Sequence, residues 1–295
     1  MSYYKITKDG ITARDLNIVH TVESAQPLTF HADYDFERNY IEYASKGRMI
    51  SGWFGGSRGN CSVVLNSADS AYAAPEFVGR FRLNDDMEKI YAHISTDPVL
   101  RSAIIKYHGM RVTLNDPWET TLCFIMSQYN NVKRIRLIIR RFVEEFGTSI
   151  RDENNRIIGR SLPSSRDLLK FTEKDFRRCG AGFRARYIAK AAEFCTNNID
   201  LHRLGSKGYE TIKEELMEIS GVGDKVADCI ALMGYGKMEA FPIDVWVKRT
   251  LEKIYFKGKA KKPEELHRFA EQRWGSYRGY AQQYLFHYAR NNVIA

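Results

Sequence analysis

The chain has 295 residues, of which 44% are hydrophobic, and this is enough for a sizeable core and for two domains or one elaborated domain. Its formal net charge of +9 would attract a polyanionic partner such as nucleic acid. The five scattered cysteines disfavour a disulfide framework or a thiolate metal site, and without a signal or spanning segment we expect a soluble, intracellular protein with no membrane partner.

The first part of the chain, residues 1–83, has a mixed pattern that includes short β-prone runs. Two such runs, 48–54 and 61–65, are separated by glycines that favour turns. From residue 84 onward, helix start and stop signals dominate. We therefore predict an α+β fold, with an antiparallel β-rich N-terminal domain over residues 1–83 and an all-helical core over residues 84–295.

Capping patterns predict where helices of the core begin. Asp116 is followed by proline and then by Glu119, which combines an N-cap, a proline at the first helical position and a capping-box glutamate. Thr172, with an aspartate three residues later, predicts a second capping box. The polar segment 148–160, which lies between these two patterns, predicts a loop.

Residues 209–234 predict a helix, a tight hairpin and a second helix. An apolar helical pattern stops before Gly221 and resumes after Gly223. Two glycines around one apolar residue let the backbone approach another chain with its N–H groups exposed, and the N-terminus of the next helix favours an anion. A phosphate suits this arrangement, and an ordinary helical corner is the alternative that the same glycines allow.

Lys225 lies in the first turn of the second helix, where neighbouring backbone donors and the helix dipole disfavour a protonated amine. A neutral amine can attack an electrophilic sugar carbon and retain the sugar as a Schiff base. For Lys225 considered alone, an exposed lysine that binds a phosphate is the simpler interpretation. The case for a nucleophile therefore depends on the residues that accompany it.

Asp244 stands in the segment F-P-I-D-V-W, just before another helical pattern. As an N-cap, its carboxylate would be held by backbone donors and would remain ionised. Such a carboxylate can stabilise positive charge on a sugar whose base is leaving. Helix capping alone is the alternative for any aspartate so placed, and the pairing with Lys225 favours a catalytic role.

The segment L-x-x-I-S-G-V-G-D-K-V-A-D-C-I-x-L-M, followed by A-F-P-I-D-V-W-V, resembles the helix-hairpin-helix and aspartate motif of DNA glycosylases, most closely the 8-oxoguanine DNA glycosylases. The resemblance covers most of residues 84–295 and, more weakly, residues 1–83, which would form the accessory domain of that family. It implies a monomeric, bifunctional glycosylase and AP lyase of base excision repair that excises 8-oxoguanine opposite cytosine from double-stranded DNA. No cofactor and no catalytic metal are implied.

The resemblance implies roles for five residues around the reaction. Lys225 occupies the position of the nucleophile, and Asp244 occupies that of the catalytic aspartate. Cys229 lies one helical turn beyond Lys225 and would line the lesion pocket. The amide of Gln282 would read the purine edge while the ring of Phe286 stacks on its face, although an aromatic residue at this spacing is more often part of the core.

Further DNA contacts are implied for Gly221, Gly223, Tyr129, Asn130, Arg134, Phe183 and Arg184. Phe183 would act as a wedge at the unstacked step, while Arg134 and Arg184 would donate to the acceptors of the orphaned cytosine. For each arginine alone, a phosphate contact or a solvated face is the alternative.

Three positions depart from the pattern of the family. Tyr129 replaces an asparagine that is usual among the gap-filling residues, and Trp246 stands where the best-known eukaryotic members have a histidine near a phosphate. Ala25 is the candidate for supplying the carbonyl that senses the N7 proton of 8-oxoguanine, for which the family uses a glycine.

Two other functions remain open. An alkylpurine DNA glycosylase shares the fold but usually has an aromatic-lined pocket and no nucleophilic lysine. A non-catalytic helix-hairpin-helix protein would only bind DNA, and the presence of both Lys225 and Asp244 disfavours it.

Overall fold

A six-stranded antiparallel sheet forms one layer of the protein. The computed structural model describes residues 3–8, 10–57, 60–65 and 70–292. The strands are β1 (Tyr4–Thr7), β2 (Gly10–Arg14), β3 (Asp33–Asp35), β4 (Tyr40–Ser45), β5 (Arg48–Ser57) and β6 (Asn60–Leu65), in the order β1-β2-β6-β5-β4-β3. Side chains along β4 and β6 alternate between buried and more exposed, as expected for a sheet with one covered face. The predicted antiparallel sheet is confirmed.

Three helices pack with this sheet: α1 (Ile18–Glu23), α2 (Pro27–His31) and α3 (Ser70–Arg80). The rings of Phe77 and Phe81 stack with centroids 4.3 Å apart. They share a hydrophobic cluster with Ile41, Ile50 and Val63 of the strands. The β-prone runs did not predict these helices, which cover the apolar face that the strands present.

Helices make up most of the remaining described chain. They are α4 (Met87–Ile94), α5 (Pro98–Lys106), α6 (Pro117–Ser127), α7 (Val132–Phe146), α8 (Ser165–Leu168), α9 (Glu173–Arg178), α10 (Ala185–Asn197), α11 (Leu201–Leu204), α12 (Tyr209–Met217), α13 (Asp224–Gly234), α14 (Val245–Tyr255), α15 (Pro263–Trp274) and α16 (Arg278–Asn292). They enclose a second hydrophobic core. This sheet and helical core confirm the predicted α+β class. None of the helices in the described ranges combines the length and apolar character needed to cross a membrane.

The start of α6 agrees with prediction only in part. Asp116 accepts hydrogen bonds from the backbone N–H groups of the second and third helical residues, at 2.9 and 3.1 Å. The expected capping-box role of Glu119 was wrong, because its carboxylate instead contacts His31 Nε2 at 2.7 Å and Arg80 Nη1 at 3.1 Å. The capping box that begins at Thr172 is confirmed.

The loop predicted over residues 148–160 is also wrong. Strands β7 (Thr148–Arg151) and β8 (Ile157–Ser161) pair there as an antiparallel hairpin. The polar residues between them form the turn, in which Asn155 has a φ of +62° and the carboxylate of Asp152 accepts backbone N–H groups. Polar residues predominate because most of the hairpin faces solvent, whereas Ile150 is buried.

A buried arginine holds the N-terminal part against the helical core. Arg111 has no exposed surface, and its guanidinium donates to the carbonyls of Arg14, Asp15 and Arg82 at 2.6 to 3.0 Å. The carbonyl of Arg111 accepts from the buried side chain of Gln26 at 2.8 Å. Because each of the three guanidinium nitrogens makes a hydrogen bond to a backbone carbonyl, Arg111 fixes the segment around residues 14–26, which borders the site described next.

Candidate active site

The hairpin between α12 and α13 is held by contacts from two other segments. Gly221 has a φ of +89°, and a Cβ added there would lie 2.8 Å from the Cβ and Cγ of Tyr187 on α10. Its carbonyl accepts a hydrogen bond from Nε2 of Gln128, after α6, at 2.8 Å. Glycine at this position is therefore required by both backbone conformation and packing. Sequence reasoning missed Tyr187 and Gln128, because both contacts are made across long sequence separations.

At position 223, neither the backbone conformation nor the packing requires a glycine. Its φ is −99°, it is exposed, and a Cβ added there would have nothing within 4 Å. The N–H groups at the N-terminus of α13 begin at this position. A small, exposed residue here leaves them open to an external anion.

Alanine at these two positions should affect different properties, stability at position 221 and DNA binding at position 223. Gly221→Ala should lower the free energy of unfolding by about 1–3 kcal/mol, because it forces a left-handed backbone on alanine and a clash with Tyr187. Gly223→Ala should change it by about 1 kcal/mol at most but weaken duplex binding, since its methyl group intrudes only on a bound phosphate. Urea unfolding and a duplex titration measure the two quantities.

Gly208 supplies the matched control, because it also precedes a helix, α12, with open space around its Cα. Gly208→Ala should leave duplex binding unchanged. If Gly223→Ala bound duplex DNA as tightly as the wild type, the hairpin would not be the phosphate site.

Lys225 lies in the first turn of α13, half-buried, with Nζ 5.1 Å from the ring centroid of Phe124 on α6. Cys229, one turn further along, is buried beside it and interacts with it. Burial raises the pKa of the Cys229 thiol to about 11, even though the positive charge of Lys225 acts in the opposite direction. The thiol is therefore protonated at neutral pH, and in this form it is a weak nucleophile.

Asp244 caps α14 by accepting the backbone N–H of Val247 at 2.8 Å. Burial raises the pKa of its carboxyl above the ordinary value, while the capping N–H and the charge of Lys225 lower it. The interaction with Lys225 brings together two residues that are 19 positions apart. The sequence predicted a helix cap that remains ionised. The structure adds that this carboxylate is partly desolvated, which makes ionisation less favourable than in an exposed cap.

The stability difference between the wild type and Asp244→Asn should depend on pH. Because the folded-state pKa of Asp244 is raised, the carboxyl contributes stability that is complete below its ordinary pKa of 3.8 and is lost as pH rises through the raised value. The wild type should therefore lose stability relative to the variant as pH rises from about 3.8, until the pH has passed the raised pKa of Asp244. Urea unfolding of both proteins checks this, and a constant or opposite difference would contradict it.

Gln282 and Phe286 lie one turn apart on α16. Gln282 is 4% exposed, and its Oε1 has no hydrogen-bond partner in the part of the chain that the structure describes. A buried acceptor in this condition costs about 1–3 kcal/mol, so a donor from a ligand would stabilise it. Phe286 is only partly buried against the helical core, and the guanidinium of Arg290 lies 5.5 Å from its ring centroid.

The segment around Ala25 is held against α16. Ala25 has a φ of +58°, a conformation that favours glycine, and it packs against the helical core. The carbonyl of Ser24 accepts from Nε2 of Gln283 at 2.7 Å, and Oγ of Ser24 accepts from Gln26 at the same distance. The chain therefore keeps a glycine-like backbone at this position with an alanine.

Three aromatic side chains gather near the hairpin. Tyr129 is 91% exposed with a φ of +52°, and its ring meets that of Phe183 edge-on with centroids 6.1 Å apart. Phe183 is 45% exposed and contacts Tyr187 at 6.2 Å. Asn130, between the exposed tyrosine and α7, donates to the carbonyl of Met126 at 3.2 Å. This exposed aromatic pair is suited to stacking on unpaired bases.

The two predicted cytosine-reading arginines differ in their surroundings. Arg134 is exposed, whereas Arg184 is 5% exposed and donates through Nε to the carbonyl of Gln128 at 2.7 Å. Burial, and then the charge of Arg134, lower the pKa of Arg184, which indicates that the two guanidiniums lie near each other. Arg184 thus also holds the loop after α6 in place, a structural role that the sequence did not predict.

A cavity of about 1330 Å³ lies between the sheet and the helical core. Its lining includes Met49, Arg80, Trp118 and Glu119, and none of the residues predicted to form the lesion pocket borders it. The predicted pocket residues Cys229 and Gln282 are instead packed among side chains of the helical core.

Comparison with protein families and curated proteins identifies relatives of the chain. Residues 122–276 match the family described as HhH-GPD superfamily base excision DNA repair protein. The probable N-glycosylase/DNA lyase of Methanothermobacter thermautotrophicus is 33% identical, covering 72% of this chain and 74% of that protein. The N-glycosylase/DNA lyase of Saccharomyces cerevisiae is 26% identical, covering 96% of this chain and 86% of that protein.

Solved structures are similar over nearly the whole chain. MBOgg1, in complex with a low-affinity DNA ligand, has a TM-score of 0.87 and 31% identity, covering 98% of this chain and 99% of that one. The 8-oxoguanine glycosylase/lyase of Clostridium acetobutylicum, in complex with double-stranded DNA containing cytosine opposite 8-oxoguanine, has a TM-score of 0.86 and 28% identity over the full length of both chains.

Proposed function

Because the chain belongs to the HhH-GPD superfamily of base excision DNA repair proteins, we propose that it is a bifunctional DNA N-glycosylase and AP lyase that removes 8-oxoguanine from double-stranded DNA. The observation that carries the proposal is the interaction of Lys225 with Asp244 beside the hairpin. A protein that only bound DNA would have no use for a desolvated carboxylate that interacts electrostatically with this amine. Relatives named N-glycosylase/DNA lyase support the same reaction class.

In the proposed reaction Lys225 is the nucleophile. The lone pair of its Nζ forms a bond to C1′ of the deoxyribose while the bond from C1′ to the base breaks, and the base leaves with those electrons and takes up a proton. Asp244 stabilises the positive charge that develops on the sugar. The bond from C1′ to O4′ then breaks, O4′ takes up a proton from solvent, and the amine remains joined to C1′ as a Schiff base. Loss of a C2′ proton to solvent then breaks the bond from C3′ to its phosphate oxygen, which cuts the strand.

The lesion pocket would be formed by Cys229, Gln282 and Phe286. Because Cys229 is protonated at neutral pH, it offers a neutral, polarizable wall and does not compete with Lys225. The buried Oε1 of Gln282 lacks a partner within the described residues and would accept a hydrogen bond from the Watson–Crick edge of the flipped purine. The backbone carbonyl of Ala25 would contact its N7 proton, which guanine lacks.

The proposed DNA surface surrounds this pocket. Gly221 and Gly223 would present backbone N–H groups to a phosphate, and the exposed rings of Tyr129 and Phe183 would occupy the gap left by the flipped nucleotide. Asn130 orders the loop that carries Tyr129. We further propose that the protein acts as a monomer inside the cell, where its DNA partner is found.

Borohydride trapping on an 8-oxoguanine duplex opposite cytosine tests the proposed function. We expect a covalent adduct between protein and DNA, with release of 8-oxoguanine. Duplexes with alkylated purines should be processed slowly, if at all. Efficient excision of alkylpurines without any trapped adduct would favour an alkylpurine glycosylase, and binding without excision of either lesion would leave only a DNA-binding role.

The base opposite the lesion should affect the rate through Arg134. If its guanidinium donates to the orphaned cytosine, single-turnover excision should be faster opposite cytosine than opposite adenine, which presents a donor instead. Arg134→Ala should remove about 1–3 kcal/mol of this discrimination. Arg184→Ala should also narrow the preference, and it should lower the free energy of unfolding because it releases the carbonyl of Gln128.

Lys133 provides the control, because it is an exposed cation next to Arg134. Lys133→Ala should weaken binding equally to the duplexes with each of the four bases opposite the lesion. The order of their excision rates should remain unchanged. Equal losses across the four opposite bases in Arg134→Ala would contradict cytosine reading and indicate a phosphate contact.

A further inference from the structure

A second group of polar side chains lies beside the hairpin, on the face of α13 adjacent to the one that carries Lys225. Asp224 and Asp228 are one helical turn apart on α13, and His267 approaches them from α15. One ligand atom from each of the three lies within 4.8 Å of the other two. Among the residues that the structure describes, no other group of three or more histidine, cysteine, aspartate or glutamate side chains converges in this way.

In both carboxylates of this cluster, one oxygen is bound by protein donors and the other faces His267. Oδ1 of Asp224 lies 2.8 Å from Nζ of Lys213. Oδ1 of Asp228 lies 3.1 Å from the same Nζ and accepts the hydroxyl of Tyr209 at 2.6 Å. The two Oδ2 atoms face His267 Nε2 instead, at 3.5 and 3.7 Å. Protein donors that hold one oxygen and leave the other free are typical of the outer shell of a metal site.

Two of the three atoms that face one another are buried and lack a hydrogen-bond partner. Asp228 has no exposed surface, and neither its Oδ2 nor His267 Nε2 makes a hydrogen bond in the described part of the chain. Separations of 3.5 and 3.7 Å are longer than the roughly 2.7–3.2 Å of an N–H···O hydrogen bond. Buried polar atoms in this condition call for a water or an ion.

We propose that Asp224, Asp228 and His267 bind one divalent transition-metal ion of the Zn²⁺ class. Oxygen and nitrogen ligands lie about 2.0–2.2 Å from Zn²⁺, so neighbouring ligand atoms in a tetrahedral site are about 3.4 Å apart, close to the separations observed here. Two carboxylates outweigh the single charge of Lys213, so the cluster attracts a cation when His267 is neutral. The half-exposed position of Asp224 leaves room for a water as the fourth ligand.

The ion would join α13 to α15. Since α13 carries Lys225 and begins at the hairpin, a bound ion would stabilise the orientation of this helix without touching the reacting atoms. The role is structural, and it does not depend on the proposed reaction. Metal binding can therefore be measured on the protein without DNA.

The test is a titration of the full chain, first stripped of metal with a chelator, with ZnCl₂ in a calorimeter and in a thermal melt. We expect one Zn²⁺ per chain and a rise in melting temperature. His267→Gln and Asp224→Asn should each lower the affinity by at least about tenfold, since each removes one ligand. His202→Gln is the matched control, because His202 also lies near an aspartate, Asp116, but outside the cluster.

A wild-type protein that binds no Zn²⁺ at 1:1 stoichiometry would overturn the proposal, as would equal affinities in the wild type and Asp224→Asn. If His267→Gln does not fold, Asp224→Asn decides the question, because its side chain is half exposed and its loss opens no core. Borohydride trapping by the metal-free wild type separates this proposal from the proposed function, since trapping can fail or succeed whichever way the titration ends.

Discussion

Lys225→Gln is expected to abolish both the release of 8-oxoguanine and the covalent adduct formed with borohydride. Glutamine keeps most of the length of the side chain but has no amine that could form the bond to C1′. Excision should fall by roughly 10³-fold or more, as is usual when a nucleophile is removed. Duplex binding should remain close to that of the wild type, because the hairpin and the aromatic pair are untouched. Single-turnover kinetics and gel-resolved trapping measure these quantities.

Lys237→Gln is the matched control for this variant, since Lys237 follows the same helix but donates to the backbone carbonyl of Lys207 at 2.7 Å. It should trap DNA at the wild-type level. Base release by Lys225→Gln near the wild-type rate would contradict the assignment of Lys225 as the nucleophile. Excision without trapping would indicate an activated water in place of the amine.

Asp244→Asn is expected to slow excision by about 100- to 1000-fold through the loss of a charge that acts mainly in the transition state. The amide oxygen of asparagine can still accept the N–H of Val247, so α14 should keep most of its cap. Binding of the lesion duplex should change little. The rate constant for base release under single-turnover conditions is the quantity to compare.

A second capping aspartate provides a control that distinguishes the loss of the Asp244 charge from a change in helix capping. Asp116→Asn makes the same chemical change at the start of α6, where the carboxylate also accepts backbone N–H groups. This control should lose little or no excision rate. If the two variants lost activity equally, or if Asp244→Asn kept the wild-type rate while melting normally, Asp244 would be only a helix cap.

Local patterns in the sequence were sufficient to predict several features of the structure. The spacing of Gly221, Gly223 and Lys225 predicts the hairpin and the first turn of α13, because turn geometry and helix starts depend on residues a few positions apart. The same holds for Asp244, whose capping role follows from its place before α14. The strands around residues 48–65 were also predictable from their β-prone runs, but Gly55 and Gly56, expected to separate the two runs, lie within β5.

Only the tertiary structure determined which distant residues meet. Glu119 was assigned to its own helix, but it pairs with Arg80 and His31, because a buried carboxylate is stabilised more by a guanidinium and an imidazole than by a single backbone N–H. Arg184 turns inward to the carbonyl of Gln128, and Gly221 rests on Tyr187. None of these contacts has a local signal, since each depends on how whole helices pack.

The cluster beside Lys225 illustrates the same limit. Asp224 and Asp228 follow the helical period and could be placed on one face of α13 from the sequence, but His267 lies 39 residues beyond Asp228 and reaches them only because α15 packs against that face. Sequence spacing specifies the face of a helix that a side chain occupies. The packing of helices, which minimises exposed apolar area over the whole core, specifies what that face contacts.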